Sequence, residues 1–184
     1  STVSAKRVFG IFRSLDLSIE ESRFLTRATT RKNSLPQGAP TSPVLANLAC
    51  RRLDSRIAGI AKKVQADYTR YADDITLSGD TGIISALPIV KKIIRSEGFL
   101  IARDKQRIIR KGNRQEVTGL TVNKKVSIPR NRRKLLRAIA HTASQGRKIH
   151  WQGEKLSMDS LKGHLSYLYS IHPGRAVSYL KLIP

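Results

Sequence analysis

Acidic residues, cysteine and aromatics are all scarce in this chain, and each scarcity narrows what it can be. The single cysteine, Cys50, cannot form an internal disulfide, and its apolar neighbours point to a buried thiol in a reducing compartment. The four histidines, His141, His150, His164 and His172, lack zinc-ligand spacing and a second cysteine to assist them, so no structural metal is assigned to them. No apolar run is long enough to span a bilayer, no signal peptide opens the chain, and no segment sets a Lys/Arg face against a broad apolar one. No membrane partner is therefore expected. Acids number 13 against 35 Lys and Arg in 184 residues, a net charge of +22. Such an excess is far beyond what solubility requires and calls for a polyanionic partner, nucleic acid first.

The few acids are unevenly placed. Residues 1–80 hold 13 basic and 8 acidic residues, whereas 81–184 hold 22 and 5. Two acids stand side by side in Tyr68-Thr69-Arg70-Tyr71-Ala72-Asp73-Asp74-Ile75-Thr76-Leu77-Ser78-Gly79. Aromatic and β-branched residues precede the pair, and Ile75 and Leu77 alternate with Thr76 and Ser78 after it. This is the period-2 pattern of two short strands joined by a tight turn at Asp73 and Asp74. Thr69, Tyr71 and Asp73 would share one face of the first strand, projecting the first carboxylate from a rigid element. Adjacent carboxylates in so basic a chain suit a hard cation with oxygen ligands, Mg²⁺ before others.

Around this hairpin the periodicity is mostly helical. Ser4 can cap a helix with Val8, Ile11, Phe12 and Leu15 on one stripe. Ser18 and Glu21 form a capping box for a second, with Phe24, Leu25 and Ala28 facing inward. A stiff loop follows, Leu35-Pro36-Gln37-Gly38-Ala39-Pro40-Thr41-Ser42-Pro43. It ends at a helix running to about Val64, with Leu45, Ala49, Leu53, Ile57, Ile60 and Val64 on its buried side. Such a loop offers free backbone N–H groups to a phosphate, and Gly38 allows close approach. Residues 82–98 read as a helix with Ile84, Leu87, Val90, Ile93 and Ile94 apolar and Gly98 at its C-terminus. A strand over Phe99–Ala102 leads to Arg103-Asp104-Lys105. Ile108–Arg110 and Glu116–Asn123 read as a hairpin across Lys111-Gly112-Asn113.

The last third is expected to be helical. Arg130, Arg133, Lys134, Arg137 and His141 fall on one face at helical spacing, and Leu135, Leu136, Ile139 and Ala143 on another. Residues 124–155 carry ten Lys and Arg against one acid, Glu154, which is more than surface mixing and fits a face that follows a phosphate backbone. Trp151 lies among these cations; it is either a stacking surface for a base or a half-buried packing aromatic.

Leu-Pro-Gln-Gly-Ala-Pro-Thr-Ser-Pro followed by Tyr-Ala-Asp-Asp resembles the palm of bacterial reverse transcriptases of the retron and group II intron type. Val117-Thr118-Gly119 resembles a triplet associated with the retron group and its RNA recognition. The resemblance implies an α+β fold: a right-hand polymerase palm, its catalytic β-hairpin packed on helices, over residues 1–123, then a helical, basic thumb over 124–184. It implies that Asp73 and Asp74 bind metal and catalyse, and that Gln37, Gly38 and Tyr71 line the nucleotide and template pocket. Lys105 stands where a lysine often meets the incoming nucleotide. Val117, Thr118 and Gly119 belong to the primer grip, and Arg130, Arg133, Lys134 and Arg137 hold the nucleic-acid backbone.

By the same resemblance the partners are an RNA template, the RNA–DNA duplex and a dNTP, in a bacterial cytoplasm. Two Mg²⁺ ions about 4 Å apart would need carboxylates from two places in such an enzyme. The second place, an Asp on an earlier strand, has no counterpart here: neither Asp16 nor Asp54 has a strand pattern around it. The Ser1-Thr2-Val3-Ser4 start resembles the segment just after that motif. The fingers and first palm strand are thus expected from an upstream segment or a second chain, with one ligand set supplied from outside. Alone, the chain is expected to bind template–primer without extending it, and Leu45, Leu53 and Ile57 to lack part of their packing partners. A group II intron or phage-defence reverse transcriptase, and a non-catalytic RNA-binding palm–thumb module, are the alternatives.

Overall fold

Seven helices and three two-stranded antiparallel sheets make up the described residues, 3–183, of the computed structural model. Of the Ser1-Thr2-Val3-Ser4 start, Ser1 and Thr2 lie outside them. They divide into two compact units, one ending at Gln106 and one beginning at Arg107.

The first unit is built on one long helix. Helix α1 (Ala5–Arg13) starts at Ser4, whose Oγ accepts from the Arg7 N–H at 3.3 Å. Helix α2 (Ile19–Thr29) starts with the expected capping box, Ser18 and Glu21 each accepting the other's backbone N–H. Helix α3 (Ser42–Lys63) follows the proline-rich loop, where the Ser42 hydroxyl ties back to the Pro36 carbonyl at 2.7 Å. Its first half packs Leu45 against Val3, Val8 and Ile11. Its second half packs Cys50, Leu53 and Ile57 against Val90 and Ile93 of helix α4 (Gly82–Ser96), with Tyr68, Ile75 and Leu77 of the hairpin laid on the same cluster. The expectation that Leu45, Leu53 and Ile57 lack part of their packing partners is thus overturned: they are 5%, 3% and 0% exposed.

Several inward positions differ from expectation. Phe24 is 70% exposed and Ala28 is also outside, because α2 turns the small residues Ser22 and Thr26 inward, within reach of α1. Leu15 lies past the end of α1 and is exposed, as is Ile84 in the first turn of α4, where Ala86, Val90 and Ile93 form the buried stripe. Residues 99–102 form no strand. The chain leaves α4 through bonds from Gly98 N–H to Arg95 and Phe99 N–H to Ile94, which close the last turn. The Arg7 guanidinium then covers the Phe99 ring at 4.5 Å. No neighbouring strand is offered to residues 99–102 among the described residues, and a lone extended segment gains no ladder. A 3-10 turn, Arg103–Lys105, follows.

The hairpin that carries the acid pair joins β1 (Asp67–Tyr71) to β2 (Asp74–Ser78), in the register Arg70↔Ile75 and Tyr71↔Asp74. The turn is therefore Ala72-Asp73, one residue earlier than expected. Asp73 sits in the turn itself and Asp74 opens the second strand, because Asp74 takes up the pairing with Tyr71.

In the second unit, β3 (Glu116–Val117) pairs with β4 (Leu120–Thr121) around Thr118-Gly119. The long hairpin expected from Ile108 is absent. Both turn residues have positive φ, 47° at Thr118 and 79° at Gly119, the type I′ geometry that matches strand twist. Helix α5 (Arg130–Ser144) buries Leu136, Ile139, Ala140 and Ala143 and leaves Leu135 at the surface, correcting its expected face. A third hairpin, β5 (His150–Trp151) with β6 (Glu154–Lys155), turns at Gln152-Gly153 inside the stretch expected to be all helical. Helices α6 (Met158–Ile171) and α7 (Pro173–Leu180) complete the unit, whose core is Leu136, Ile139, Leu161, Leu165, Leu168 and their neighbours. No described helix is long and apolar enough to cross a membrane.

Candidate active site and nucleic-acid interface

The burial of β1 alternates: Tyr68 and Arg70 face the core, while Asp67, Thr69 and Tyr71 face out. Such alternation puts Arg70 against α3 and leaves Tyr71, 72% exposed, beside the turn. Asp73 and Asp74 are both exposed and take part in no ion pair among the described residues. In a chain so rich in cations, two carboxylates with uncommitted oxygens are ready ligands for a hard metal ion. Among the described residues, however, no three His, Cys, Asp or Glu side chains converge on a point. The donor chemistry fits Mg²⁺; the donor number at this tip is two.

The turn is backbone-strained. Ala72 has φ 52°, a region that costs a non-glycine L-residue about 1–2 kcal/mol. A network that no motif reading anticipated secures it. Arg70 Nε donates to Asp54 Oδ1 at 2.8 Å and Nη2 to Oδ2 at 2.7 Å, a bidentate pair. Arg70 Nη1 donates to the Ala72 carbonyl at 2.8 Å and to Asn47 Oδ1 at 3.1 Å. Tyr68 donates its hydroxyl to Asp54 Oδ1 at 2.6 Å. The Arg70 guanidinium beside it holds the Asp54 carboxyl below the usual carboxylate range, while burial and then the bond to Asp54 push the Tyr68 phenol well up. Asp54 is thus committed to Arg70. A sequence signal for this existed in the helical placement of Asn47 and Asp54, seven residues apart on one face, opposite a strand carrying Tyr68 and Arg70.

The other residues expected in the first unit are placed as follows. Gln37 and Gly38 are exposed on the loop before α3; Gly38 has φ 82°, and a Cβ built there would meet nothing within 4 Å. Lys105 closes the 3-10 turn, exposed, with no ion pair among the described residues. No hydrogen bond joins Gln37 or Lys105 to the Asp73-Asp74 tip among the described residues.

In the second unit Val117, Thr118 and Gly119 fall at a hairpin tip, Val117 half-buried and the other two exposed. Thr118 is β-branched yet left-handed, a strained conformation rarely held without reason. Arg130, Arg133, Lys134 and Arg137 do converge: with Arg175 and Tyr179 of α7 they line a concave pocket of about 290 Å³. Arg175 and Tyr179 were missed because they lie far along the chain, on a short helix with no repeated basic pattern. Arg133 Nε is buried there without a hydrogen-bond partner among the described residues. Five cations around one hollow repel one another and favour an anion. Trp151 is half-buried and stacked on His164, ring centroids 4.3 Å apart, with Arg132 over its face at 5.7 Å.

Comparison with known proteins adds lineage to this geometry. The family described as reverse transcriptase (RNA-dependent DNA polymerase) matches residues 5–153. The chain is 39% identical over 175 residues to the Retron Ec86 reverse transcriptase of Escherichia coli, covering 92% of this chain and 52% of that protein. It is 39% identical over 142 residues to the Retron Mx65 reverse transcriptase of Myxococcus xanthus, covering 76% of this chain and 32% of the relative. To the Retron Mx162 reverse transcriptase of the same organism it is 36% identical over 165 residues, covering 80% and 33%. The chain thus spans about half or less of the length of these relatives.

Proposed function

The chain belongs to the reverse transcriptase (RNA-dependent DNA polymerase) family, and from that premise we propose that it works in RNA-directed DNA synthesis of the retron type. The observation that carries this is the hairpin tip: two exposed, uncommitted carboxylates on a strained turn, clamped to the longest helix of the unit by Arg70. The retron relatives favour this over a group II intron enzyme.

The reaction joins the primer 3′-oxygen to the α-phosphorus of a dNTP and releases pyrophosphate. Asp73 and Asp74 would hold Mg²⁺, which supplies Lewis-acid charge at the phosphoryl group. With two donors at this tip, the remaining ligands would come from outside it. Tyr71 offers its exposed ring beside the reacting ends. Gln37 and Gly38 border the nucleotide and template, and Lys105 stabilises charge on the departing pyrophosphate. Residues 1–123 serve as palm and 124–184 as thumb. The tip at Val117, Thr118 and Gly119 holds the primer end or reads the cognate RNA. Arg130, Arg133, Lys134 and Arg137, joined by Arg175, bind the phosphates of the RNA–DNA duplex.

Primer extension and gel-shift assays on the complete polymerase test this. Asp73→Asn should abolish most of the rate while template–primer binding survives, and Asp74→Asn should be milder. Wild-type extension by the Asp73 variant would end the metal-site reading.

A further inference from the structure

A guanidinium that only ties a strand to a helix would find its hydrogen-bond partners on those two elements. Arg70, its side chain 10% exposed, does more than that. Its Nε and Nη2 meet both oxygens of Asp54, and its Nη1 reaches past them to the carbonyl of Ala72 at 2.8 Å. Ala72 lies between Tyr71 and Asp73, and its backbone is left-handed. The Ala72 carbonyl and the Asp73 N–H belong to one rigid peptide plane. Fixing that carbonyl therefore fixes the plane from which the Asp73 side chain departs. Asn47 Oδ1, at 3.1 Å from the same Nη1, keeps the arm from swinging away.

The electrostatics agree. Asp54 offsets the guanidinium charge in a bidentate pair, so the clamp holds the turn without competing with a cation for Asp73 and Asp74. The Tyr68 hydroxyl, donating to Asp54 at 2.6 Å, fixes the carboxylate plane in turn.

We propose that Arg70, oriented by Asp54, is a positioning residue that aims the Asp73 and Asp74 carboxylates by holding the Ala72 peptide. This rests on the reading of those carboxylates as metal ligands. Lysine cannot replace it, since a single ammonium lacks the planar fork that meets a carboxylate and a carbonyl together.

The test compares Arg70→Lys, Asp54→Asn and Asp73→Asn in the complete polymerase. Three quantities are read beside the melting temperature: the kcat and KM split for dNTP, the Mg²⁺ concentration at half-maximal rate, and Mn²⁺ affinity by electron paramagnetic resonance. Arg70→Lys should lower kcat about 100-fold, the cost of a misplacement near 1 Å, with KM and template–primer affinity little changed. It should weaken metal binding about tenfold or more, as loss of a partner behind a metal ligand does. Asp54→Asn should move the same readouts in the same direction, since it frees the guanidinium charge toward the metal. Folded variants with wild-type kcat and wild-type Mn²⁺ affinity would overturn the proposal while Asp73→Asn remained inactive. So would a loss of rate that follows the melting temperature alone and disappears on cooling, with metal affinity intact. If Asp73→Asn itself stayed active, the metal-site reading and this inference would fall together.

Discussion

At the scale of single residues, the second unit contains a histidine whose proton state is structural. His172 Nε2 accepts the Ile128 N–H at 3.3 Å and lies 3.1 Å from the Ser127 hydroxyl, so the nitrogen must be unprotonated to accept. Burial, followed by the charges of Arg133, Arg175 and Lys125, lowers its pKa below the ordinary 6.5. The unfolded chain takes up this proton first. Stability from His172 is therefore complete above pH 6.5 and is lost as pH falls through 6.5 toward the lowered value. Urea unfolding at stepped pH should show this loss, and His172→Phe should flatten that part of the curve. An unaltered pH dependence in the variant would assign the effect elsewhere, His164 first, since burial and Arg132 lower its pKa too.

At the scale of elements, helix α5 carries both the packing face and the basic face. Leu136, Ile139, Ala140 and Ala143 are buried, whereas the pocket cations project toward α7. Replacing Arg133 and Arg137 with Ala should weaken binding of an RNA–DNA duplex, and the slope of log K against log salt should shrink by about one per lost phosphate contact. A filter-binding series from low to moderate salt reads the slope; no change would mean that these side chains only face water.

Elements were legible in the sequence where one local rule decided them. The Ser18–Glu21 box, the helical stripes around Leu53 and Val90, and the two strands around the acid pair all formed. What failed needed knowledge of partners. Phe24 has helical spacing for burial, but Ser22 and Thr26 took the inner face. Residues 99–102 have strand composition but, among the described residues, no strand to join. The hairpin at Thr118-Gly119 was hidden because a threonine supplies one of its two left-handed positions, where turn rules look for Asn or Gly. At the site, Asp73 and Asp74 were visible as a pair, while Arg70 and Asp54 acquire meaning only when strand and helix are laid together.

On the scale of the whole molecule, the boundary between Gln106 and Arg107 falls in an exposed stretch with little regular structure. From Ala102 to Arg114 it contains one 3-10 turn and six Lys and Arg residues. Brief trypsin treatment should cut there before it cuts α3 or α5, releasing two fragments that mass spectrometry can assign. Early cleavage inside those helices would contradict the division.

The chain has one tryptophan, and it belongs to the second unit. Trp151 is pressed against His164 with the planes 16° apart, so any charge acquired by that imidazole sits directly on the indole face. Its emission is therefore a private optical channel, placed to report unfolding and protonation around α6. Paired with circular dichroism, which sees both units, it lets the two halves be followed separately in one cuvette without attaching a dye.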